Sequence, residues 1–305
     1  MTQKSAKPFL KWAGGKTQLL KQIEKILPHS IRKNNFTYIE PFVGSGAVLF
    51  WMLKNLSTLK KAIINDINED LINVYKVVAA HPKVLIANLK DLQNEFHLLD
   101  NNIELKKEYY YKKRALFNAR STSGCEQASL FVFLNKTCFN GLYRVNKNNE
   151  FNVPMGSYRK PTICDDKNII LSSQALQRVE ILCDDFEQTI NSANQHTFFY
   201  MDPPYKPLSN TSSFNSYTRE EFNDNEQIRL RNFCCKLDSL GYSWILSNSD
   251  VKENDSCFFD ELYKDFNIGR VDAKRSINAK PEKRGVLTEL LITNDLNKQQ
   301  YARAI

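Results

Sequence analysis

Apolar and polar positions alternate along the first 75 residues in the manner of helices and strands. A 3.6-residue apolar period predicts a helix over about 17–27, and its positions are Leu19, Leu20, Ile23, Ile26 and Leu27. Apolar runs predict a strand at 36–40, a buried helix at 47–55 and a second strand at 61–65 that leads into Asp66. This order of strand, turn, helix and strand is typical of a parallel nucleotide-binding sheet.

The middle of the chain has a different pattern. Residues 77–135 show helical periodicity with long polar stretches and no strand alternation. Residues 138–160 predict a hairpin, in which 145–151 supply the turn between two short extended runs. This segment therefore interrupts the sheet.

Strand patterns return in the last third of the chain, at 179–183, 197–201, 242–247 and 286–293. A helix is predicted at about 219–240, and residues 206–218, rich in Ser and Asn, are expected to form a mobile loop. The pattern predicts one α/β domain, formed by 1–76 and 166–305, with an inserted helical domain at 77–165.

Composition places the chain among globular proteins. Hydrophobic residues make up 42% and charged residues 25% of the 305 residues, close to the average for compact domains. No apolar run approaches the ~18 residues of a membrane helix, and the first residues contain no apolar signal segment. The seven cysteines contain no C-x-x-C pair, which argues against disulfides and a structural zinc site. We expect a cytoplasmic protein with no metal and no membrane partner.

Positive charge is concentrated in the predicted insert. Residues 106–160 carry eleven Lys or Arg against three Glu, a net charge of +8 that equals the net charge of the whole chain. Aromatic residues are interleaved with them, among them Tyr109, Tyr110, Tyr111, Phe117, Phe139, Tyr143, Phe151 and Tyr158. This mixture is expected of a nucleic-acid face. A solvated helix face above core aromatics is the alternative interpretation.

Gly15-Lys16-Thr17 is similar to the end of a phosphate-binding P-loop. That motif needs a glycine at position 10 and a strand before it, whereas the chain has Leu10 and only nine residues upstream. A nucleoside triphosphatase is therefore disfavoured.

The segment Glu40–Gly46 (E-P-F-V-G-S-G) lies between a predicted strand and a predicted helix, where glycines let a ligand approach the backbone closely. Asp66 follows Gly46 by 20 residues, and an acid at the end of the next strand can accept both hydroxyls of a ribose. Leu49 stands where dinucleotide sites have a third glycine, which disfavours NAD. A tight turn with a helix cap is the structural alternative.

The apolar run at 197–201 leads directly into Asp202-Pro203-Pro204-Tyr205. Two prolines end the strand in a rigid turn, which places the Asp202 carboxylate and the Pro203 carbonyl at the carboxyl edge of the sheet. Two adjacent acceptors suit the exocyclic amine of a base, because binding both N–H groups keeps the nitrogen lone pair out of conjugation and directs it at an electrophile. Tyr205 offers a ring face for stacking. We expect Asp202, Pro203 and Tyr205 to be the catalytic residues.

Several longer motifs extend from Phe9 to about Asn294. They are K-W-A-G-G-K (11–16), E-P-F-x-G-S-G (40–46), N-D-I-N (65–68), F-N-G-L-Y-R (139–144), F-N-V-P-x-G (151–156), D-P-P-Y (202–205), P-L-S-x-T-S-S-F (207–214) and S-N-S-D (247–250). Together they resemble the Dam-type DNA adenine-N6 methyltransferase family. The resemblance implies an α/β fold, a Rossmann-like S-adenosylmethionine-dependent methyltransferase sheet with an inserted helical, hairpin-bearing DNA-recognition domain. It also implies S-adenosylmethionine as methyl donor and DNA adenine as acceptor.

The resemblance assigns residues to the cofactor motif by motif. Trp12 and Lys16 match residues at the cofactor, and Asp66 matches the acid on its ribose hydroxyls. Asp185 and Phe186 match a segment that contacts its adenine. The full expected cofactor-binding set is Trp12, Ala13, Lys16, Pro41, Gly44, Asp66, Ile67, Asp185, Phe186 and Asp202.

The resemblance also implies that the insert reads DNA at GATC. Phe139 matches an aromatic wedge that enters the base stack, with Asn140 beside it. The residues that match base contacts are Lys11, Leu142, Arg144 and Pro154. Two positions depart from the family pattern: Phe139 stands where Tyr is frequent, and Ser157 stands where a basic residue often contacts the DNA backbone. The first departure barely changes stacking, whereas the second removes a phosphate contact.

Two alternative functions are compatible with these residues. A DNA cytosine-N4 methyltransferase would hold its amine in the same way, and a non-catalytic DNA-binding protein could keep the fold, although both the D-P-P-Y turn and the glycine loop are intact. A zinc deaminase is excluded because H-x-E with P-C-x-x-C is absent. The expected partner is double-stranded DNA with a flipped adenine, bound by a monomer. A cognate restriction endonuclease acting on the same site is a candidate second partner.

Overall fold

The computed structural model describes residues 5–12, 14–100, 102–206, 222–251, 258–274 and 286–294. In that part of the chain the helices are α1 (Leu20–Ile26), α2 (His29–Lys33), α3 (Ala47–Asn55), α4 (Glu69–Ala80), α5 (Pro82–Leu98), α6 (Ile103–Ala119), α7 (Gly124–Thr137), α8 (Asp166–Leu176), α9 (Asp224–Ser239) and α10 (Phe258–Leu262). The strands are β1 (Phe36–Glu40), β2 (Leu59–Ile64), β3 (Val179–Ile181), β4 (Thr197–Met201), β5 (Ser243–Ser249), β6 (Asn267–Lys274) and β7 (Val286–Thr293). Short 3₁₀ turns occupy Lys16–Gln18, Phe139–Gly141 and Phe186–Ser192.

The strands form one sheet in the order β3-β2-β1-β4-β5-β7-β6. The first five strands pair in parallel, whereas β7 is antiparallel to both β5 and β6. β1 and β4 are neighbours although they are far apart in the chain, so the strand order reverses between them. Ligands of such sheets bind at the carboxyl ends of the strands beside the reversal. The segments that follow β1, β2 and β4 therefore meet where a binding site is expected.

The two central strands are covered on both faces, which explains why apolar residues predominate in both of them. Every residue of β1 and of β4 is buried. One apolar cluster joins one face of the sheet to α3–α8, and a second joins the other face to α9 and α10. At about 1.5–3 kcal/mol for each large side chain that is fully buried, these clusters hold the sheet edge in a fixed position.

The inserted helices share the core of the sheet rather than forming one of their own. α4 continues without a break across the boundary predicted between residues 76 and 77. α7 packs against α4, α5 and α6, and its Phe131 and Phe133 belong to the same apolar cluster as Tyr38 of β1. The predicted division into 1–76 with 166–305 and 77–165 therefore does not correspond to two separate apolar cores, and the roles assigned to the two parts stay a prediction.

The predicted α/β sheet is confirmed, with β1 and β4 at their predicted bounds and β2 beginning at Leu59 instead of residue 61. The helix predicted over about 17–27 is confirmed but is shorter, because a 3₁₀ turn at Lys16–Gln18 precedes α1 and α1 ends at Ile26. Leu27 is extended (ψ 136°), as expected of a residue before proline. A separate helix, α2, follows Pro28.

The predicted hairpin has the expected antiparallel pairing but not two full strands. Two isolated bridges, Cys138 with Met155 and Val145 with Phe151, take their place. The backbone at Asn140 and Gly141 is left-handed, with φ of 55° and 65°, so the chain turns where the first strand would run. We call residues 138–155 the hairpin segment.

The sequence pattern does not predict β6 or α10. β6 lies at the edge of the sheet, and its Arg270 pairs with Asp250 and Asp260, so charged residues interrupt the apolar alternation. Residues 207–218 of the predicted mobile loop lie outside the described residues.

The described cysteines, Cys125, Cys138, Cys164, Cys183, Cys234 and Cys235, are free thiols. Within the described ranges, no group of three or more His, Cys, Asp or Glu side chains is arranged to hold a metal ion. None of the helices in that part of the chain is long and apolar enough to span a membrane.

Candidate functional site

Asp202 lies at the carboxyl end of β4, as the D-P-P-Y motif predicts. Lys16 Nζ is 2.9 Å from its Oδ1, and the Ser247 hydroxyl donates to the same oxygen at 2.9 Å. The ion pair and the side-chain hydrogen bond that described residues make to this carboxylate both go to Oδ1. One carboxylate oxygen is thus held by the protein, and the other can accept a hydrogen bond from a bound molecule.

The environment of Asp202 favours strong hydrogen bonds. Burial raises the pKa of its carboxyl, although the Lys16 ammonium and the Ser247 hydroxyl act in the opposite direction. The Asp202 side chain is 21% exposed, and a hydrogen bond to a charged acceptor that is largely removed from water is stronger than the same bond in water. Asp202 is therefore a preorganised acceptor.

Lys16 lies at the centre of this arrangement and is only 3% exposed. Its ammonium donates to the Gly14 carbonyl at 2.6 Å, lies 3.9 Å from Glu289 Oε2 and sits 4.3 Å from the centroid of the Tyr205 ring. The sequence groups Lys16 with the cofactor residues, whereas the structure also places it directly against the predicted catalytic residues. It links two carboxylates and the aromatic ring.

Glu289 is a residue that sequence reasoning missed. It is on β7, and the Tyr205 hydroxyl donates to its Oε2 at 2.6 Å. This bond fixes the orientation of the ring that is predicted to stack on a base. The one available signal was an acidic residue in the middle of an apolar strand. We call Lys16, Asp202, Tyr205, Ser247 and Glu289 the sheet-edge cluster.

β5 holds the backbone of the D-P-P-Y turn in place through its S-N-S motif, to which the sequence assigned no role. Besides the bond from Ser247 to Asp202, the Ser249 hydroxyl donates to the Lys206 carbonyl at 3.0 Å. Asn248 donates to Gln227 of α9 at 3.1 Å, and Gln227 donates to the Pro204 carbonyl at 3.2 Å. Pro203 is buried within this frame.

The glycine loop after β1 is shaped for close contacts. Gly44 and Gly46 have φ of 48° and 72°, and a Cβ on Gly44 would lie 2.9 Å from Trp12 Cδ1. The Trp12 ring therefore covers the loop directly. Ala13 lies outside the described residues, and Pro41 is buried, with its carbonyl accepting from Asn65 at 3.1 Å.

Asp66 stands beside this loop, at the end of β2. Its Oδ2 accepts from the Gly44 amide at 3.2 Å and its Oδ1 from the Asn68 amide at 3.0 Å. Burial raises the pKa of Asp66 to about 6. The neighbouring Ile67 is 57% exposed. The structure thus brings Trp12, Gly44, Asp66 and Ile67 to one edge.

Asp185 and Phe186, in the segment after β3, contact other parts of the protein than the residues around the glycine loop do. Asp185 pairs with Arg229 and accepts from the Glu187 amide at 3.0 Å. Phe186 is 4% exposed, and its ring lies 5.3 Å from Phe42 within the second apolar cluster. Packing and helix capping therefore account for the contacts that these two residues make.

Asn65 joins the strand ends behind the loop and is another residue that sequence reasoning did not single out. Its side chain donates to the carbonyls of Pro41 and Asp184, and its Oδ1 accepts from the Asp184 amide. The ends of β1, β2 and β3 are therefore tied together by one buried amide.

The hairpin segment presents the predicted wedge to solvent. Phe139 is 47% exposed, and its amide donates to the Pro154 carbonyl at 2.9 Å. Asn140 is exposed at the tip of the turn. Arg144 is half-buried, with its Nε donating to Asn152 at 2.7 Å, and Leu142 packs partly against the core.

Lys11 and Trp12 connect the two groups of residues. The Lys11 ammonium lies 4.2 Å from the centroid of the Tyr158 ring. The Trp12 ring stacks on Tyr143 at 5.6 Å between centroids, and the Tyr143 hydroxyl donates to Asp70 at 3.0 Å. The glycine loop and the hairpin segment are thus in contact through one aromatic pair.

Comparisons with known proteins bear on what this site does. The family model of the D12 class N6 adenine-specific DNA methyltransferases matches residues 12–277. The chain is 52% identical over 293 residues to the type II methyltransferase M.MjaIII of Methanocaldococcus jannaschii, covering 94% of this chain and 99% of that protein. It is 41% identical to the type II methyltransferase M1.LlaDCHI of Lactococcus lactis subsp. cremoris, over 94% and 95% of the two chains. It is 38% identical to the DNA adenine methylase of Haemophilus influenzae, over 93% and 92%.

Proposed function

The chain belongs to the D12 class of N6 adenine-specific DNA methyltransferases, and on that premise we propose that it uses S-adenosylmethionine to methylate a flipped adenine in GATC. Membership confirms the predicted DNA adenine methyltransferase and sets aside the cytosine-N4 and non-catalytic alternatives. The proposal about cofactor and target base rests mainly on one observation. Asp202 is held through Oδ1 at the end of β4, beside the glycine loop.

Asp202 and the Pro203 carbonyl are the acceptors for the target amine. When both N–H bonds of the adenine amine are directed at these two oxygens, its lone pair no longer conjugates with the ring and can attack in line. Fixed acceptors of this kind lower the barrier because they need no reorganisation during the reaction. Tyr205, oriented by Glu289, supplies the stacking face for the base.

The residues around the glycine loop fit a nucleoside. Two backbone amides fix the Asp66 carboxylate, and its other lone pairs suit two ribose hydroxyls. Exposed Ile67 and the Trp12 ring offer apolar surface beside it. S-adenosylmethionine, when bound, supplies an electrophilic methyl group on a sulfonium. The chain's own contribution is to hold that ligand next to Asp202, so that proximity and orientation accelerate the transfer.

The hairpin segment is suited to opening the duplex. The adenine amine is paired inside DNA, so the base must leave the stack before it reaches Asp202. Unstacking costs a few kcal/mol, and an aromatic wedge can replace the lost stacking. Phe139 is exposed on a turn whose backbone is held by Pro154. Residues 106–160, which include the hairpin segment, carry the net charge of +8 that attracts phosphates.

Reading of GATC is assigned to Lys11, Asn140, Leu142, Arg144 and Pro154. Arg144 is the sharpest of these proposals, because arginine pairs bidentately with guanine O6 and N7 in the major groove. Its Nε is held by Asn152, so the remaining guanidinium nitrogens point in a defined direction.

Methyl transfer to matched duplexes tests the proposal. We expect radiolabel from S-adenosylmethionine to enter a GATC duplex, and not a GTAC duplex of the same composition or a duplex with N6-methyladenine on both strands. With 2-aminopurine at the target position, fluorescence should rise on binding, and Phe139→Ala should reduce the rise. Equal labelling of GATC and GTAC would contradict the recognition site, and unchanged fluorescence would contradict base flipping.

A further inference from the structure

Asn135, near the end of α7, uses all the polar atoms of its side chain to bind two backbone segments, the distant segment at Lys11 and the turn at Gly141 that follows α7. It is 2% exposed. Its Oδ1 accepts from the Lys11 amide at 2.8 Å, and its Nδ2 donates to the Lys11 carbonyl at 2.7 Å and to the Gly141 carbonyl at 3.1 Å. One buried amide therefore joins the N-terminal segment to the turn that carries Phe139 and Asn140.

The chemistry of this contact needs an amide. A carboxamide supplies two N–H donors and an acceptor, and all three functions are used here. An aspartate in the same place would turn an acceptor towards two carbonyls, and a serine would offer a single donor. A buried backbone group that loses its partner is left without a hydrogen bond at a cost in free energy, so the joint is sensitive to the residue type.

The two joined segments also touch directly. Gly141 has φ of 65°, and a Cβ there would lie 2.3 Å from Lys11 Cδ and 2.7 Å from Lys11 Cβ. The turn thus rests on the side chain of Lys11, whose ammonium is directed over the Tyr158 ring. Lys11 and the tip of the hairpin segment cannot move independently while this contact persists.

A second asparagine provides an internal comparison. Asn168 of α8 brackets Lys7 in the same way, accepting from its amide at 3.1 Å and donating to its carbonyl at 3.0 Å. Asn168 is also buried, at 4% exposure. Among the described residues it makes no bond to the hairpin segment. Both asparagine side chains bind the same N-terminal segment. Of the two, only Asn135 also donates a hydrogen bond to the turn, at the Gly141 carbonyl.

We propose that Asn135 is a positioning residue for sequence discrimination, which fixes Lys11 and the turn at 139–141 as one reading unit. This inference rests on the proposed function, in which both elements contact bases. A reader built from two rigidly joined parts rejects a wrong base at either part, because neither can shift to relieve the mismatch. Loosening the joint lets each part adapt, so discrimination falls more than the rate of methyl transfer.

The test compares Asn135→Ala with Asn168→Ala in the full-length enzyme. For each, kcat and KM are measured on the preferred duplex and on all its single-base variants. We expect Asn135→Ala to lower the ratio of cognate to variant kcat/KM about tenfold or more, at positions read by Lys11 and at positions read by the turn. Asn168→Ala should keep the ratio within about twofold, whatever its effect on melting temperature.

Two results would overturn the proposal. One is a wild-type ratio in Asn135→Ala together with a loss of melting temperature like that of Asn168→Ala, which would make Asn135 structural only. The other is an equal loss of discrimination in both variants, which would assign the effect to the N-terminal segment as a whole. If Asn135→Ala fails to fold, Asn135→Ser, which retains one donor, takes its place in the same comparison.

Hydrogen exchange separates failure of this inference from failure of the proposed function. In DNA-free protein, Asn135→Ala should speed exchange of the amides of Gly141 and Leu142, which bond within the turn, and Asn168→Ala should not. Unchanged exchange in Asn135→Ala would overturn the joint itself. A wild-type enzyme that methylates all sequences equally would instead contradict the proposed reading of GATC and, with it, the role of Asn135 in discrimination.

Discussion

The sheet-edge cluster and the hairpin segment differ in how far their functional side chains are exposed to water. The first gathers charged and polar side chains around the turn that follows β4, with Lys16 only 3% exposed and Asp202 held by two donors. The second exposes Phe139 and Asn140 on a turn held mainly by backbone bonds and amide side chains. In the proposed function, methyl transfer gains from charges largely removed from water, whereas base reading needs exposed groups on a rigid frame.

This difference determines how each region should fail. Removing a charge from the sheet-edge cluster should slow methyl transfer on every sequence. Removing a side chain from the hairpin segment should change which sequence is methylated.

Asp202→Ala should transfer methyl groups at least about 100-fold more slowly, because one of two preorganised acceptors is lost, and should still bind DNA. Single-turnover transfer of a labelled methyl group measures the effect. Ser247→Ala is the matched control: it leaves the carboxylate and removes one hydrogen bond to it, so a loss of about tenfold or less is expected. Wild-type transfer by Asp202→Ala would remove this residue from the mechanism.

Asp66→Ala should weaken S-adenosylmethionine binding by about 1–3 kcal/mol, the usual value for charged hydrogen bonds, and should spare DNA affinity. Calorimetric titration with cofactor and with DNA, each alone, measures both quantities. Unchanged cofactor affinity with weakened DNA binding would show that the end of β2 serves the reading side instead.

Arg144→Ala should relax the preference at one base pair of GATC by about 1–3 kcal/mol while the other positions stay discriminated. The measurement is methylation of all single-base variants at two salt concentrations. Asn152→Ala, which removes the bond to Arg144 Nε, should weaken the same position to a smaller extent. A uniform loss on all sequences, with a salt slope reduced by about one, would instead make Arg144 a phosphate contact.

Cofactor affinity should depend on pH through Asp66. Because burial raises the pKa of this carboxyl from 3.8 to about 6, the folded enzyme takes up the proton at a higher pH than the unfolded chain. Ribose hydroxyls bind best to the ionised form, so affinity should be constant above about pH 7 and fall by up to about tenfold per unit below about pH 6. Titrations of wild type and Asp66→Asn from pH 5 to 8 decide this, since the variant should lose the dependence.

The strongest sequence predictions concern segments in which a candidate functional motif comes directly after a strand. β1 and β4 are buried strands made mostly of apolar residues, and the glycine loop and D-P-P-Y come immediately after them. Their position at one edge follows from parallel pairing alone. The hairpin segment was less predictable, because its left-handed turn at Asn140 and Gly141 replaces a regular strand.

The sequence by itself determined every strand of the sheet except β6, and it identified Asp202, Asp66 and Phe139 as candidates, because each depends on neighbouring residues in the chain. Only the tertiary structure decided what surrounds them. Glu289 reaches Tyr205 across 84 residues, and Asn135 reaches Lys11 across 124. Apolar periodicity specifies where a strand or helix lies, but strand order and register decide which side chains meet, and these depend on how the whole core packs.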